Sequence, residues 1–277
     1  VSEADAVAQL LADPDPGIAT SLRRQLVMRE ADPPGLREAV EALPDPLDRS
    51  RAREARLEIG RERAAERLLR LGAAPGELDF EAGTFEIALM EDPDRDVALA
   101  REKLDALAKG ATLVVPGGDP RSRLIALSAF LGDAEGFSGD RSPDEVPRLS
   151  SLPDVLERRR GLPIALSAVY LCVARRIGVE LYGVGAPLHF IVVGPTAAGP
   201  LYLDPFENGR PLEPGEAAAM LRRLGVVFRP EHLAPTRNRA IVARMARNLV
   251  AFYANRPRAE HRARRYARVA MALEEGP

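Results

Sequence analysis

One cysteine, Cys172, and three histidines, His189, His232 and His261, are the residues of this 277-residue chain suited to nucleophilic or acid–base work. Of the histidines, only His189 has a partner in view. It opens a β-prone run at residues 190–193, and Asp204 closes the next run, 201–203, beyond a Gly/Pro-rich loop at 194–200. Strands joined by such a loop lie side by side, which brings the imidazole and the carboxylate within hydrogen-bond reach. A carboxylate on one ring nitrogen fixes the tautomer and the orientation of the ring. His232 sits in a Pro-flanked turn and His261 in a basic run, and both read as surface residues.

The element that must bring a nucleophile to this pair precedes it. Residues 164–177 are almost continuously apolar or small, with charge only at Arg175 and Arg176, and a helix apolar on nearly all faces belongs inside a domain. Strands at 181–184, 190–193 and 201–203 follow, punctuated by Gly178, Gly185, Gly194 and Gly199. The helix holds two nucleophilic atoms. Cys172 lies deep within it, where a small core residue is the default reading. Ser167 lies near its start, where the plain alternative is a hydroxyl bonded back to a backbone carbonyl.

Five blocks occur in order: GFSGD (136–140), VLERRRGLPIALS (155–167), ARRIGV (174–179), APLHF (186–190) and LDPFENG (203–209). Together they resemble the transglutaminase-like superfamily, which shares its core with papain-like cysteine enzymes. The pattern is most similar to the bacterial SirB-type branch, over residues 85–224. The resemblance implies an α+β fold, with a buried helix packed on a small antiparallel sheet and helical elements on both sides. It also implies a cysteine at the N-terminus of the buried helix, a histidine on the next strand pair and an aspartate that orients it. The positive end of the helix dipole favours the thiolate, and the imidazole takes the proton.

This chain departs from that pattern at the decisive place. Spaced back from Arg176-Ile177-Gly178, the family's nucleophile falls at or within a residue of Pro163. Proline suits the first turn of a helix but brings no nucleophile. Cys172 is about two and a half turns deeper and on the opposite face, whereas Ser167 is one turn below Pro163 on the same face. Leu188 stands where the branch usually carries glycine, and is expected to fill space that a substrate backbone would use.

The resemblance therefore implies a transglutaminase-like protein without the thiol chemistry, a binding or regulatory module around a relic site of His189, Asp204, Ser167 and Pro163. Two alternatives stay open. One is an acyl-transfer or hydrolytic enzyme that uses Ser167 or a water activated by His189 and Asp204, and the other is a helical scaffold for protein–protein interaction. Arg159, Arg160, Phe190 and Phe206 are the candidate binding residues, with Glu157 and Arg158 beside the first two. For the charged residues a solvated helix end is the structural alternative. The polar stretch 132–153 reads as a long loop passing close to the His189 strand. No cofactor or metal is expected, since a lone cysteine offers no metal-ligand spacing.

The rest of the chain is helical in pattern. Residues 3–71 alternate helical runs (6–12, 18–29, 36–42 and 50–71) with Asp-Pro breaks at 13–16, 32–34 and 45–46, in which aspartate caps a helix and proline fits its first turn. This predicts a HEAT-like helical cap over residues 1–72. The last run, with Arg49 just before it, interleaves eight arginines with Glu54, Glu58, Glu62 and Glu66, the pattern of a solvated face laced by i,i+4 pairs; a nucleic-acid face is the sharper reading. Two helices split at Asp92-Pro93 and a third at 121–131 lead into a core domain over 80–228. A helix at 214–223 and a short strand at 226–228 follow. Helices at 239–253 and 259–273 predict a tetratricopeptide-like hairpin over 236–277.

Composition bounds the function. Lys+Arg number 39 against 41 Asp+Glu, a net charge of −2, so no basic excess draws the chain to nucleic acid. The longest apolar run is too short to span a bilayer, and residues 1–5 lack the basic start of a signal peptide. A protein partner and a reducing, cytoplasmic setting are expected. The chain starts at Val1 rather than methionine, which leaves an upstream segment open.

Overall fold

The computed structural model describes residues 2–29 and 31–275. Its N-terminal helices are α1 (Glu3–Ala12), α2 (Pro16–Val27), α3 (Leu36–Glu41) and α4 (Pro46–Ala73). Aspartate–proline pairs start two of them. Asp15 accepts from the Gly17 N–H and Asp45 from those of Leu47 and Asp48, with proline in the first turn of α2 and of α4. The pair at Asp32 behaves differently: α3 starts from Gly35 in the left-handed conformation, and Asp32 accepts from Arg63 at 2.6 Å and from Arg56 at 3.4 Å. Val7, Leu11, Leu26, Leu36, Val40 and Ile59 close a small apolar cluster among these helices.

Next come α5 (Phe80–Glu91), α6 (Val97–Val114) and α7 (Pro120–Ala129). Asp79, Asp96 and Asp119 cap them, each accepting from the N–H three residues on. Helix α7 continues into a π-helical turn, Phe130–Ala134. The stretch 132–153, expected as a loop, carries β1 (Ser138–Gly139), α8 (Val146–Ser150) and the start of α9 (Leu152–Arg158). The reason is a row of buried apolar residues, Leu149, Leu152 and Val155, which recur at helical spacing and anchor the segment to the core. Then β2 (Arg160–Gly161), which pairs with β1 in parallel, leads into α10 (Pro163–Arg176).

Strands β3 (Tyr182–Val184), β4 (Ile191–Gly194), β5 (Leu201–Asp204) and β6 (Arg210–Leu212) form an antiparallel sheet in sequence order. Val192 lies opposite Leu203, and Tyr202 opposite Leu212. Because side chains alternate along a strand, Val192 and Leu203 enter the main core with α10. Ile191, Val193, Tyr202 and Leu212 face a second cluster with Ala217 and Leu221 of α11 (Pro214–Arg223). The sheet is thus covered on both faces. Residues 226–228 form no strand: the Val226 N–H closes the end of α11 on the Leu221 carbonyl, and Val226 and Phe228 pack on the second cluster as irregular chain.

The C-terminal helices α12 (Asn238–Ala254) and α13 (Glu260–Glu275) pack on each other, α13 also lying against α4 and α12 against α5. One apolar cluster runs from Leu68 of α4 through Phe85 and Met90 of α5 and Leu166 and Val173 of α10 to Leu249 and Val269. It joins segments far apart in sequence into one core.

The arginine-rich run of α4 departs from the solvated face that its pattern predicts. Arg56, Arg61 and Arg63 are buried. The glutamates spaced by four residues meet the basic run of α13 instead: Glu58 and Glu62 accept from Arg265, and Glu62 and Glu66 from Arg268. Two charge patterns that are separately surface-like complement each other, and Arg265 between them is buried. Among the described residues no helix is long and apolar enough to cross a membrane.

Candidate functional site

His189 stands at the end of a tight turn, two residues before β4, rather than opening the strand itself. Its N–H donates to the Ala186 carbonyl at 3.2 Å. Asp204 is the last residue of β5 and caps the short 3₁₀ turn Pro205–Glu207. The two side chains meet at 2.8 Å, His189 Nε2 to Asp204 Oδ2, with 3% and 2% of their surface exposed. A carboxylate only accepts, so Nε2 carries the hydrogen, and Nδ1 is left buried with no partner among the described residues. The other carboxylate oxygen, Oδ1, accepts from the Phe206 N–H at 3.0 Å, and the Gly209 N–H donates to the Asp204 carbonyl at 2.8 Å. The motif LDPFENG thus folds back on its own aspartate.

Two residues that the sequence reading did not single out hold the histidine in place. Arg244 of α12 donates to the carbonyls of Ala186 and His189, both at 2.9 Å, and lies over the Phe190 ring at 5.6 Å. Burial pulls its guanidinium below its ordinary range. Thr236 accepts from the Gly185 N–H at 2.9 Å, tying the start of the same turn. Arg244 is a cation between the buried Ala243 and Met245, and a charge on a buried helix face was the available signal.

Phe206 closes the other side. Its ring meets His189 edge-on at 5.9 Å, and Arg141 stacks over it at 4.5 Å. Gly139 lets it lie there: a Cβ at that position would stand 2.5 Å from three Phe206 ring carbons. Phe190 is buried in the core. Arg160 donates to Ser138 Oγ across the β1–β2 pair. Arg159, in the left-handed conformation after α9, pairs with Glu135 at 2.8 Å and stacks on Phe137. Glu157 and Arg158 are taken up by Lys103 and Glu145. Phe206 therefore touches His189, whereas Phe190 and Arg159 are engaged elsewhere.

On the nucleophile side, Pro163 occupies the first turn of α10 behind Leu162, which offers no side-chain cap. Ser167 is fully buried, and its hydroxyl bonds neither to His189 nor back to a carbonyl. Cys172 is 2% exposed, and burial pushes its thiol far above the ordinary thiol range. It borders a different cleft of about 600 Å³, lined among others by Glu77, Asp79 and Tyr182. Leu188 does not plug the site. It is 73% exposed with φ of 62°, a backbone conformation that glycine adopts without strain. Of the remaining histidines, His232 accepts from the Arg229 N–H and His261 is exposed. Among the described residues no three His, Cys, Asp or Glu side chains are grouped to hold a metal ion.

Residues 98–247 match the transglutaminase-like superfamily. The chain belongs to that family. The transglutaminase-like region includes α10, the sheet, His189, Asp204 and Arg244. The chain is 37% identical over 161 residues to a UPF0162 protein of Xylella fastidiosa (strain 9a5c), covering 56% of this chain and 57% of that one. It is 27% identical over 175 residues to a UPF0162 protein of Vibrio cholerae, covering 60% and 65%. A shorter stretch of 84 residues is 36% identical to the human F-box only protein 21, covering 30% of this chain and 13% of that protein. The transglutaminase-like chain thus spans less than two thirds of the length of the curated relatives it matches. No solved structure matches it.

Proposed function

We propose that this transglutaminase-like protein keeps the fold and the His–Asp pair of its family but not the thiol chemistry, and serves as a binding or regulatory module. The observation that carries the reading is Pro163 in the first turn of α10, where the resemblance calls for cysteine, with the lone Cys172 buried beside a different cleft. The blocks GFSGD, APLHF and LDPFENG support a place in the SirB-type branch. An 84-residue match inside a protein of which it covers only 13% supports a segment that works in different chains, as a binding module does. The partner in this reading is another protein.

The test is an assay of purified protein against ester, amide and glutamine–amine acyl-transfer substrates. No turnover above that of His189→Ala is expected; turnover that vanishes on His189→Ala would establish an enzyme. One observation favours a second reading. His189 Nδ1 is unpartnered among the described residues, the arrangement of a ring that accepts a proton from water. The version with Ser167 as nucleophile has less support, because no hydrogen bond joins Ser167 to His189.

A further inference from the structure

A cavity of about 210 Å³ lies between α4, α5 and two loops, far in sequence from the histidine site, and three arginines of one helix stripe open onto it: Arg56, Arg63 and Arg67. The second and third lie seven and eleven residues beyond the first, so a helical period sets them on one face. Gly60, between them, lets Pro93 close one wall: a Cβ there would stand 2.5 Å from the Pro93 side chain. Asp32 and Asp94 complete the polar lining.

The arginines have more donors than this lining uses. Three guanidinium groups offer about fifteen N–H bonds, and among the described residues they make seven hydrogen bonds, to Asp32, Asp94, Glu86 and the Leu26 carbonyl. Arg63 is the informative one. It is 6% exposed, it spends Nε on the Leu26 carbonyl and Nη1 on Asp32, and its Nη2 is buried with no partner among the described residues. Native structures rarely leave a buried charged donor unmatched. Arg67 pairs with Glu86, which is not among the lining residues, through Nε and Nη2.

We propose that this cavity binds a free oxyanion of phosphate size. Planar guanidinium forks match the oxygens of a phosphate, the volume suits one small anion, and the converging donors are fixed by carboxylates that already hold Arg56 and Arg63 in position. Among the described residues the lining carries three cations against two carboxylates. Arg37 stands close enough to add to the field, since the hydrogen bond from Arg56, and beyond it Arg37, hold the Asp94 carboxyl below its ordinary value.

The experiment is calorimetric titration of the whole chain with inorganic phosphate at ionic strength held constant with sodium chloride, alongside thermal melts. Wild type is expected to bind saturably and to melt higher in phosphate than in chloride. Arg67→Gln, which removes a donor from the half-exposed edge of the cluster, should weaken binding roughly tenfold or more. Ala31→Glu, at the exposed rim of the cavity, supplies a carboxylate in place of the anion, so it should raise the melting temperature without phosphate and abolish the phosphate response. The proposal is overturned if wild type shows no response beyond the chloride control, or if the response survives unchanged in both variants.

Discussion

The molecule holds two ionic assemblies of opposite design. The seam between α4 and α13 is crowded, with Arg265, Arg268, Glu58, Glu62 and Glu66 sharing partners. The His189–Asp204 pair stands almost alone, nearly fully buried, with one ring nitrogen unmatched among the described residues. Mutual neutralisation is how buried charge is made tolerable for folding. A buried pair with a spare nitrogen is not needed for that purpose. The contrast separates charge shared among several partners from charge held in a single buried pair.

The comparison is broken most severely at the seam. Arg265→Met takes the buried cation from Glu58 and Glu62, which keep Arg61 and Arg268, and should cost about 3 kcal/mol in denaturant unfolding, with the His189 ring signals unmoved in NMR spectra. Arg244→Met removes the donor from two carbonyls of the histidine turn. It should cost about 2 kcal/mol and, unlike the seam variant, shift the His189 ring resonances. A loss of equal size at Arg244 with no change at His189 would mean that Arg244 supports the core and not the site.

Acid sharpens the same contrast. Burial alone would raise the Glu58 carboxyl, but Arg265, His261 and Arg61 outweigh it and hold it below its ordinary 4.5; the hydrogen bond from Arg56 likewise holds Asp94 below 3.8. A folded-state value below the unfolded one contributes stability that is present above the unfolded value and lost as pH falls through the folded one. Urea midpoints are therefore expected to hold as pH falls to about 4.5 and to drop below it. In Arg265→Met the Glu58 part of that drop should be smaller.

The smallest effect expected is at Leu188. Glycine there relieves about 1–2 kcal/mol of left-handed strain while adding about 0.5–1 kcal/mol of chain entropy to the unfolded state. Because the leucine is exposed, little burial is lost. Leu188→Gly should be more stable by up to about 1.5 kcal/mol in the same unfolding measurement.

Much of this architecture is legible in the residues. The apolar run at 164–177 gives α10, the glycine-punctuated runs give β3 to β5, and the loop between β4 and β5 places Asp204 beside His189. What stayed hidden depends on contacts between segments distant in sequence. Glu58, Glu62 and Glu66 look solvated until α13 supplies the arginines, and Arg244 looks like an ordinary helix charge until the turn at 186–189 reaches it. Leu188 misled for a different reason: its type suggested a plug, whereas the sign of φ, which sequence does not print, turns the side chain out to solvent.

The central claim is that the site lacks a thiol and little else. The most direct measurement is the pH dependence of iodoacetamide alkylation in Pro163→Cys, with Cys172→Ala as background so that one thiol is present. The account predicts that the introduced thiol reacts at a pH below that of a free cysteine, about 8.5, and returns to ordinary behaviour when His189→Ala is added. A thiol at that position with ordinary reactivity, indifferent to His189, would contradict it.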